Sequence, residues 1–199
     1  MGFEIKYKDG QSPLSEEEMH GLLIDTITTH EELNEFEQQN IEKAIEWTYT
    51  KKFKPEYILS EKFVKELHFR MFDEVWQWAG DFRLSEKHIG IKFHLIGTSL
   101  KQLNDDCLFW IENKTYSEDE ITIRYKHRIV NIHCFANGNG RHSRLIADVI
   151  RKQIFNKDYF SWSSLGKLVK DGKQRANYLK AIREADKENI QPLIDFAKS

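Results

Sequence analysis

The chain has 199 residues, enough for one domain with a substantial core, and its 13 Phe, 5 Trp and 7 Tyr supply bulky apolar side chains to fill it. Its 30 basic and 32 acidic residues leave a formal net charge of -2, so no overall basic field points to nucleic acid, and no nucleic-acid partner is expected. Cys107 and Cys134 form neither a CxxC pair nor a metal-type spacing, and neither a signal-type apolar stretch nor a bilayer-length run occurs, so a reduced, cytoplasmic protein with no membrane association is expected.

No internal repeat, low-complexity tract or linker interrupts the sequence, which predicts one unit over residues 1–199. Residues 1–14 read as irregular or extended, and Ser15 ahead of Glu16, Glu17 and Glu18 reads as a helix start with acids at the positive dipole end. From Thr28 or Thr29 to about Thr50, the recurrence of Leu33, Phe36, Ile41, Ala44, Ile45 and Trp47 predicts a long amphipathic helix. Ser60 caps the next, in which Phe63, Leu67 and Met71 mark one face at steps of four. The stretch "VWQWAGDFRLSEKHIGIKFHLIG" lacks that period and holds Gly80, Gly90 and Gly97, predicting a loop with a short irregular hairpin. Trp76 and Trp78 within it are assigned to the core. Helical patterns resume at about 98–113, 118–132, 140–155, 172–185 and 190–198, so the fold class is all-α with one β-hairpin.

Between the second and third of these, and running into the third, lies "HCFANGNGRHSRL", residues 133–145. One helix ends near His133 and another starts at about position 140, which makes the Gly-Asn-Gly turn a helix N-terminus, where unpaired backbone N–H groups and the dipole favour an anion. Gly138 and Gly140 allow positive φ and close approach of a ligand, and Asn139 tolerates the left-handed region and adds an amide donor. Arg141 and Arg144, three apart, can leave the first turn on one side and converge on one anion, which suits a polyphosphate. His133 upstream is placed to take a proton from an incoming hydroxyl as general base while the turn stabilises charge on phosphorus.

Taken singly, each feature has an ordinary explanation: a histidine that caps a helix, glycines that make a turn, arginines on a solvated face. Their occurrence together within thirteen residues favours the site. A P-loop is excluded because GxxxxGK followed by Ser or Thr is absent, and GxGxxG is also unmatched. His127, His133 and His142 lack an HExxH-type spacing for zinc, and Cys134 reads as a small buried residue.

"HCFANGNGRHSR" resembles the Fic signature, HPFxx(D/E)GN(G/K)RxxR, at His133, Phe135, Gly138, Asn139, Gly140, Arg141 and Arg144. The likeness extends to "ITTHEELNEFEQQNIEKAIEW", "ELHFRMFDEVWQWAGDFRLSEKHIG" and the C-terminal "NYLKAIREADKENIQPLIDFAKS", which look like the Fic subgroup called mobile mystery protein B. The resemblance implies a helical Fic fold, with a core over about residues 60–199 and an extension over 1–50. It also implies an enzyme that transfers AMP from ATP, with Mg²⁺ or Mn²⁺, to a Tyr, Thr or Ser hydroxyl of a target protein. His133 would be the base; Gly138, Asn139 and Gly140 would hold the α- and β-phosphates with support from Arg141, and Arg144 would bind the γ-phosphate. Phe135 would anchor the loop in the core. A hairpin flap formed by Ile89, Gly90, Ile91, Lys92, Phe93 and His94 would align an extended target segment by strand addition, its backbone giving affinity and its side chains little selectivity. Tyr178 is a candidate for the adenine pocket or for core packing.

Two positions depart from the signature. Asn137 stands where a carboxylate would hold the metal, and a neutral amide oxygen is a weaker ligand for a hard cation. Cys134 replaces the proline. Gly140 stands where the phosphotransferase-like Doc branch has lysine, which favours nucleotidyl transfer. The family's inhibitory helix carries (S/T)xxxE(G/N); the nearest candidate is Thr28 to Glu32, with Leu33 in place of the small or amide residue, and an ordinary helix cap fits it equally. Self-inhibition or a separate antitoxin is thus expected as a partner relation. The competing functions are a nucleotide-binding Fic-fold module with little catalysis, suggested by Asn137, and a toxin-type transferase using another nucleotide or a phosphate donor.

Overall fold

The computed structural model describes residues 14–162 and 172–199, and its regular elements are helices. The first, α1 (Glu16–Met19), is one turn closed by a reciprocal cap in which Ser15 Oγ accepts from the Glu18 amide and the Glu18 carboxylate accepts from the Ser15 amide. The same device between Thr29 and Glu32 starts α2 (His30–Thr50). A single turn, α3 (Pro55–Ile58), opens on a proline whose missing N–H costs nothing there; one turn is too short for periodicity to reveal. Ser60 then caps α4 (Glu61–Phe72), which buries Phe63, Val64, Leu67, His68, Met71 and Phe72, two adjoining rows of a 3.6-residue repeat.

Five further described helices follow the predicted spans within about two residues: α5 (Ile96–Glu112), α6 (Glu118–Ile132), α7 (Asn139–Gln153), α8 (Gly172–Ala185) and α9 (Gln191–Lys198). α6 packs on both α5 and α7, α2 lies on α4, and the α8–α9 pair closes against α6. Because α6 and α7 are buried on two sides, they serve two cores. Tyr125, Ile129, Ile146 and Ile150 join Phe63, Leu67, Met71 and Trp76 in the larger one. On the other side, Ile123 and Ala147 join Trp162, Tyr178, Leu193 and Phe196 in the smaller one. The turn between α6 and α7 is therefore held at both of its ends by helices that cannot shift independently. No described helix is long and apolar enough to cross a membrane.

The expected β-hairpin does not form. Among the described residues there is no strand, only an isolated antiparallel bridge between Leu22 and Trp76. Residues 89–92 are a loop that bends through Gly90, at φ +94°, and Phe93–Leu95 form a 3-10 turn running into α5. The reason is visible in the hydrogen bonds: Ile91 N–H points to the Ile132 carbonyl at 3.5 Å and Leu95 N–H to the Lys92 carbonyl at 3.0 Å, so the loop bonds to the end of α6 and to itself locally. A two-stranded ribbon without further strands is marginal in water, and here tertiary partners outcompete it.

Candidate active site

At the end of α6, His133 adopts the left-handed region, with φ 57° and ψ 61°, and its amide donates to the Ile129 carbonyl. That conformation costs a non-glycine residue about 1–2 kcal/mol and reverses the chain, which drops Cys134, Phe135 and Ala136 into the core. Phe135 stacks on His68 with ring centroids 3.7 Å apart and meets His142 edge-on, so it seats the loop as the sequence predicts. Burial pushes the Cys134 thiol up to about 12, in keeping with a small core residue and not a nucleophile. Gly138 then caps α7 at φ +77°, and a Cβ there would lie 2.5 Å from the Phe72 ring. Gly140, the second residue of α7, faces open space: a Cβ would meet nothing within 4 Å. The two glycines thus differ in role, the first shaping the turn and the second leaving its outer side clear.

His133 is nearly buried, and its pKa is lowered to about 4 by burial first, then by the charge of Arg83, with smaller effects of Lys87 and His88. Its ring also bonds to the Val130 backbone carbonyl, which opposes that shift. Donation from one ring nitrogen to that carbonyl leaves the lone pair of the neutral imidazole on the other, the state a general base requires.

Asparagines on either side of Gly138 are committed to the loop itself. The Asn139 side chain closes on Phe135 from both directions: Oδ1 accepts from the Phe135 amide at 3.0 Å, and Nδ2 donates to the Phe135 carbonyl at 2.8 Å. One of the two Nδ2 hydrogens is thereby committed to the loop, and the residue shapes the cradle beside the α7 backbone amides. Asn137 Oδ1 accepts from the Gly138 amide at 2.5 Å, and the Asn137 carbonyl accepts from His68 Nε2 at 3.1 Å. Among the described residues no group of three or more His, Cys, Asp or Glu side chains is arranged to hold a metal ion. With no carboxylate in the turn and both side-chain amide oxygens engaged, these residues do not fit a protein-held divalent cation.

The two arginines do not converge in this structure. Arg141 pairs with Glu37 of α2 at 2.6 Å and lies over the Phe72 ring, whereas Arg144 lies over the Tyr178 ring of α8 at 5.6 Å. Three residues along a helix turn side chains by about 300°, so neighbours on opposite flanks can draw them apart. Tyr178 is buried against Phe196, and its hydroxyl accepts from Lys126, a lysine enclosed in the core. Lys126 and Arg144 hold the Tyr178 phenol below its usual range against the opposing effect of burial. Tyr178 thus stands beside the second signature arginine, with its polar end occupied by cations.

Glu32 is spent on the α2 cap, accepting from the amides of Thr28 and Thr29 and from the Thr28 hydroxyl. These bonds hold its carboxyl below the ordinary range, and it does not reach Arg144. The acid that does meet a signature arginine is Glu37, whose other oxygen accepts from Trp76 Nε1 at 2.7 Å. Sequence reasoning passed over it because glutamates dominate that helix and nothing local separates the buried one.

Two more residues escaped the sequence. His68, fully buried on α4, accepts from the Gly80 amide at Nδ1, so Nε2 must carry the proton it donates to Asn137. Burial lowers its pKa well below the usual value and keeps it neutral. Its place in the buried row of α4 was legible, but its partners were not. Arg83 lies in the loop before the flap and is also buried; its backbone amide donates to the Cys134 carbonyl at 2.9 Å, and its Nε to the His133 carbonyl at 2.7 Å. Of the flap residues, Gly90 and Ile91 touch this region, while Ile89, Lys92, Phe93 and His94 lie toward solvent.

A buried neutral histidine beside a glycine-capped helix start, set in an all-α bundle, is an arrangement that can take up a proton next to a place suited to an anionic group. Residues 58–150 match the model of the Fic/DOC family. Solved structures similar in fold include the BepC protein of Bartonella tribocorum, a VirB-translocated effector with bound AMPPNP, at TM-score 0.66 and 17% identity over 92% of this chain and 97% of that one. The N-terminal FIC domain of the Bep8 protein from Bartonella sp. 1-1C matches at TM-score 0.68 and 14% identity over 87% and 88%. A Fic domain containing signaling protein from Bacteroides thetaiotaomicron matches at 0.63 and 16%, covering 80% of this chain and 66% of that chain. At such identities the likeness is one of fold. No curated protein matches the sequence.

Proposed function

We propose that the protein is an adenylyltransferase that moves AMP from ATP to a Tyr, Thr or Ser hydroxyl of a target protein. The observation that carries this reading is the neutral imidazole of His133, buried at the end of α6 and one turn from the open α7 helix start at Gly140. In the reaction, the acceptor oxygen forms a bond to the α-phosphorus, the bond from that phosphorus to the bridging oxygen breaks, and pyrophosphate leaves. His133 takes the acceptor proton, and the α7 backbone amides with Arg141 and Arg144 stabilise the charge spread over the phosphate oxygens. Both arginines must exchange their contacts with Glu37 and Tyr178, in part, for contacts with the nucleotide. Because this turn supplies no site for a cation, a divalent ion would be held by the ATP phosphates, and no step is assigned to it. The AMPPNP bound to the BepC protein supports a nucleotide as the ligand of this fold.

ATP labelled at the α-phosphate or at the γ-phosphate, incubated with the protein and a lysate, tests the proposal. Transfer of the α-label with none of the γ-label is expected, and its loss in His133→Ala by about 10²–10⁴-fold assigns the base. Transfer of the γ-label instead would replace the proposal with phosphorylation. A second reading, a nucleotide-binding module with little catalysis, is favoured by the engaged Asn137 Oδ1; ATP binding without transfer of either label would establish it.

A further inference from the structure

Arg83 donates from every face of its guanidinium to backbone carbonyls: Nε to His133 at 2.7 Å, Nη1 to Ser85 at 2.7 Å, and Nη2 to Ile91 in the flap. The residue is 3% exposed, and its hydrogen-bond partners are main-chain oxygens; Glu86 and Glu18 act on it only through their fields. A buried cation committed to carbonyls is costly, and a hydrocarbon in its place would avoid that cost, so packing alone does not account for it. What a planar guanidinium offers is rigid, divergent donors that reach two chain segments at once, which a lysine ammonium at the end of a flexible stem does not reproduce.

The two segments are the ones whose relative position transfer requires. At one, His133 sits in the left-handed region, and Arg83 holds both the His133 carbonyl and, through its own amide, the Cys134 carbonyl. At the other, the flap lies against the same residues: a Cβ on Gly90 would be 2.5 Å from His133 Cβ and 3.1 Å from Arg83 Nη2. Only glycine lets the flap approach this closely. A flap that moved by one residue along α6 would break the bond to Ile91 and change its distance from the base.

Resting on the adenylyltransferase reading, we propose that Arg83 is a positioning residue that fixes the flap in register with His133, so that an acceptor segment laid on the flap presents its hydroxyl to the base. The same guanidinium adds to the field of Lys87 and His88 at the imidazole, and these are the charged or titratable groups that face it from the 83–91 loop, while the end of α6 presents the Val130 carbonyl.

Hydrogen exchange and imidazole titration by NMR test this without reference to transfer. In Arg83→Lys, amides of residues 86–92 are expected to exchange about tenfold faster while those of α6 and α7 away from the turn keep their rates. In Arg83→Gln, the His133 midpoint is expected to move upward, since a cation is lost. Unchanged flap exchange, or an increase shared by the whole protein, would overturn the proposal. For the wild-type chain, which avoids any failure of the variants to fold, the Arg83 Nε proton is expected to exchange no faster than the flap amides; free exchange would count against the clamp. In transfer assays, Arg83→Lys should raise KM for the acceptor about tenfold and leave ATP affinity in place, whereas a mere staple would lower stability and move neither. If the wild-type chain transfers nothing, the adenylyltransferase reading fails while flap exchange and titration still decide the role of Arg83.

Discussion

A histidine that accepts a proton from a hydroxyl must be uncharged when the acceptor arrives, and for His133 this is secured by burial more than by any hydrogen bond. With its pKa near 4, the imidazole is neutral through the whole physiological range. The transfer rate is therefore expected to be flat from pH 8 to about pH 6 and to fall as pH drops through about 4, in a profile of kcat/KM taken with Arg83 intact. A limb centred near 6.5, the value of an ordinary histidine, would show that the ring is solvated in the working protein. At the same scale, the Asn139 side chain finds a pair of partners on Phe135, four residues back, which fixes its orientation at the start of α7.

At the scale of elements, the turn into α7 separates two glycines that look alike in sequence. Gly138→Ala places a Cβ 2.5 Å from the Phe72 ring at a positive φ, so a loss of about 2–4 kcal/mol is expected, measured as a lower urea midpoint. Gly140→Ala meets nothing within 4 Å, so stability should hold or rise by up to about 1 kcal/mol. Its methyl group instead faces the side from which an anion approaches, and titration calorimetry should show weaker ATP binding. The reverse ranking, with Gly138→Ala benign, would refute this division. At the start of α2, Glu32→Gln keeps a side chain that can close the capping box but removes its charge, so only a slight fall in the urea midpoint is expected, with α-label transfer unchanged. A gain in transfer would restore the inhibitory role that the Thr28 to Glu32 spacing suggested.

The whole molecule depends on several neutral histidines. His133 and His142 are lowered to about 4, and His68 is held well below its usual value, in each case by burial first. Unfolded imidazoles bind protons near 6.5, so between about pH 6.5 and pH 4 the unfolded chain holds more protons than the folded one, and stability falls as pH falls. Asp148 works the other way. Burial raises it from 3.8 to about 7, so its stabilising share is present below 3.8 and is lost as pH rises to about 7. Three histidines outweigh one carboxyl, and the urea midpoint is expected to be lower at pH 5 than at pH 7.5. An unchanged midpoint would mean that one or more of these rings is hydrated in solution.

The sequence by itself determined what neighbouring residues can determine. The caps at Ser15, Thr29 and Ser60, the buried faces of α4 and α7, the left-handed turn at Gly138 and the placing of His133 just before it all follow from contacts a few residues long. Only the tertiary structure decided the partners. Glu37 and Arg141 meet across 104 residues, Arg83 and His133 across 50, and Lys126 and Tyr178 across 52. Such pairs leave no period or spacing in the chain. They depend on which of several similar acids, arginines and tyrosines burial excludes from water, and that selection exists only once the helices have packed. The flap shows the same division: its glycines and its exposure were legible, but whether its amides paired with each other or with α6 was settled by what lay within reach after folding.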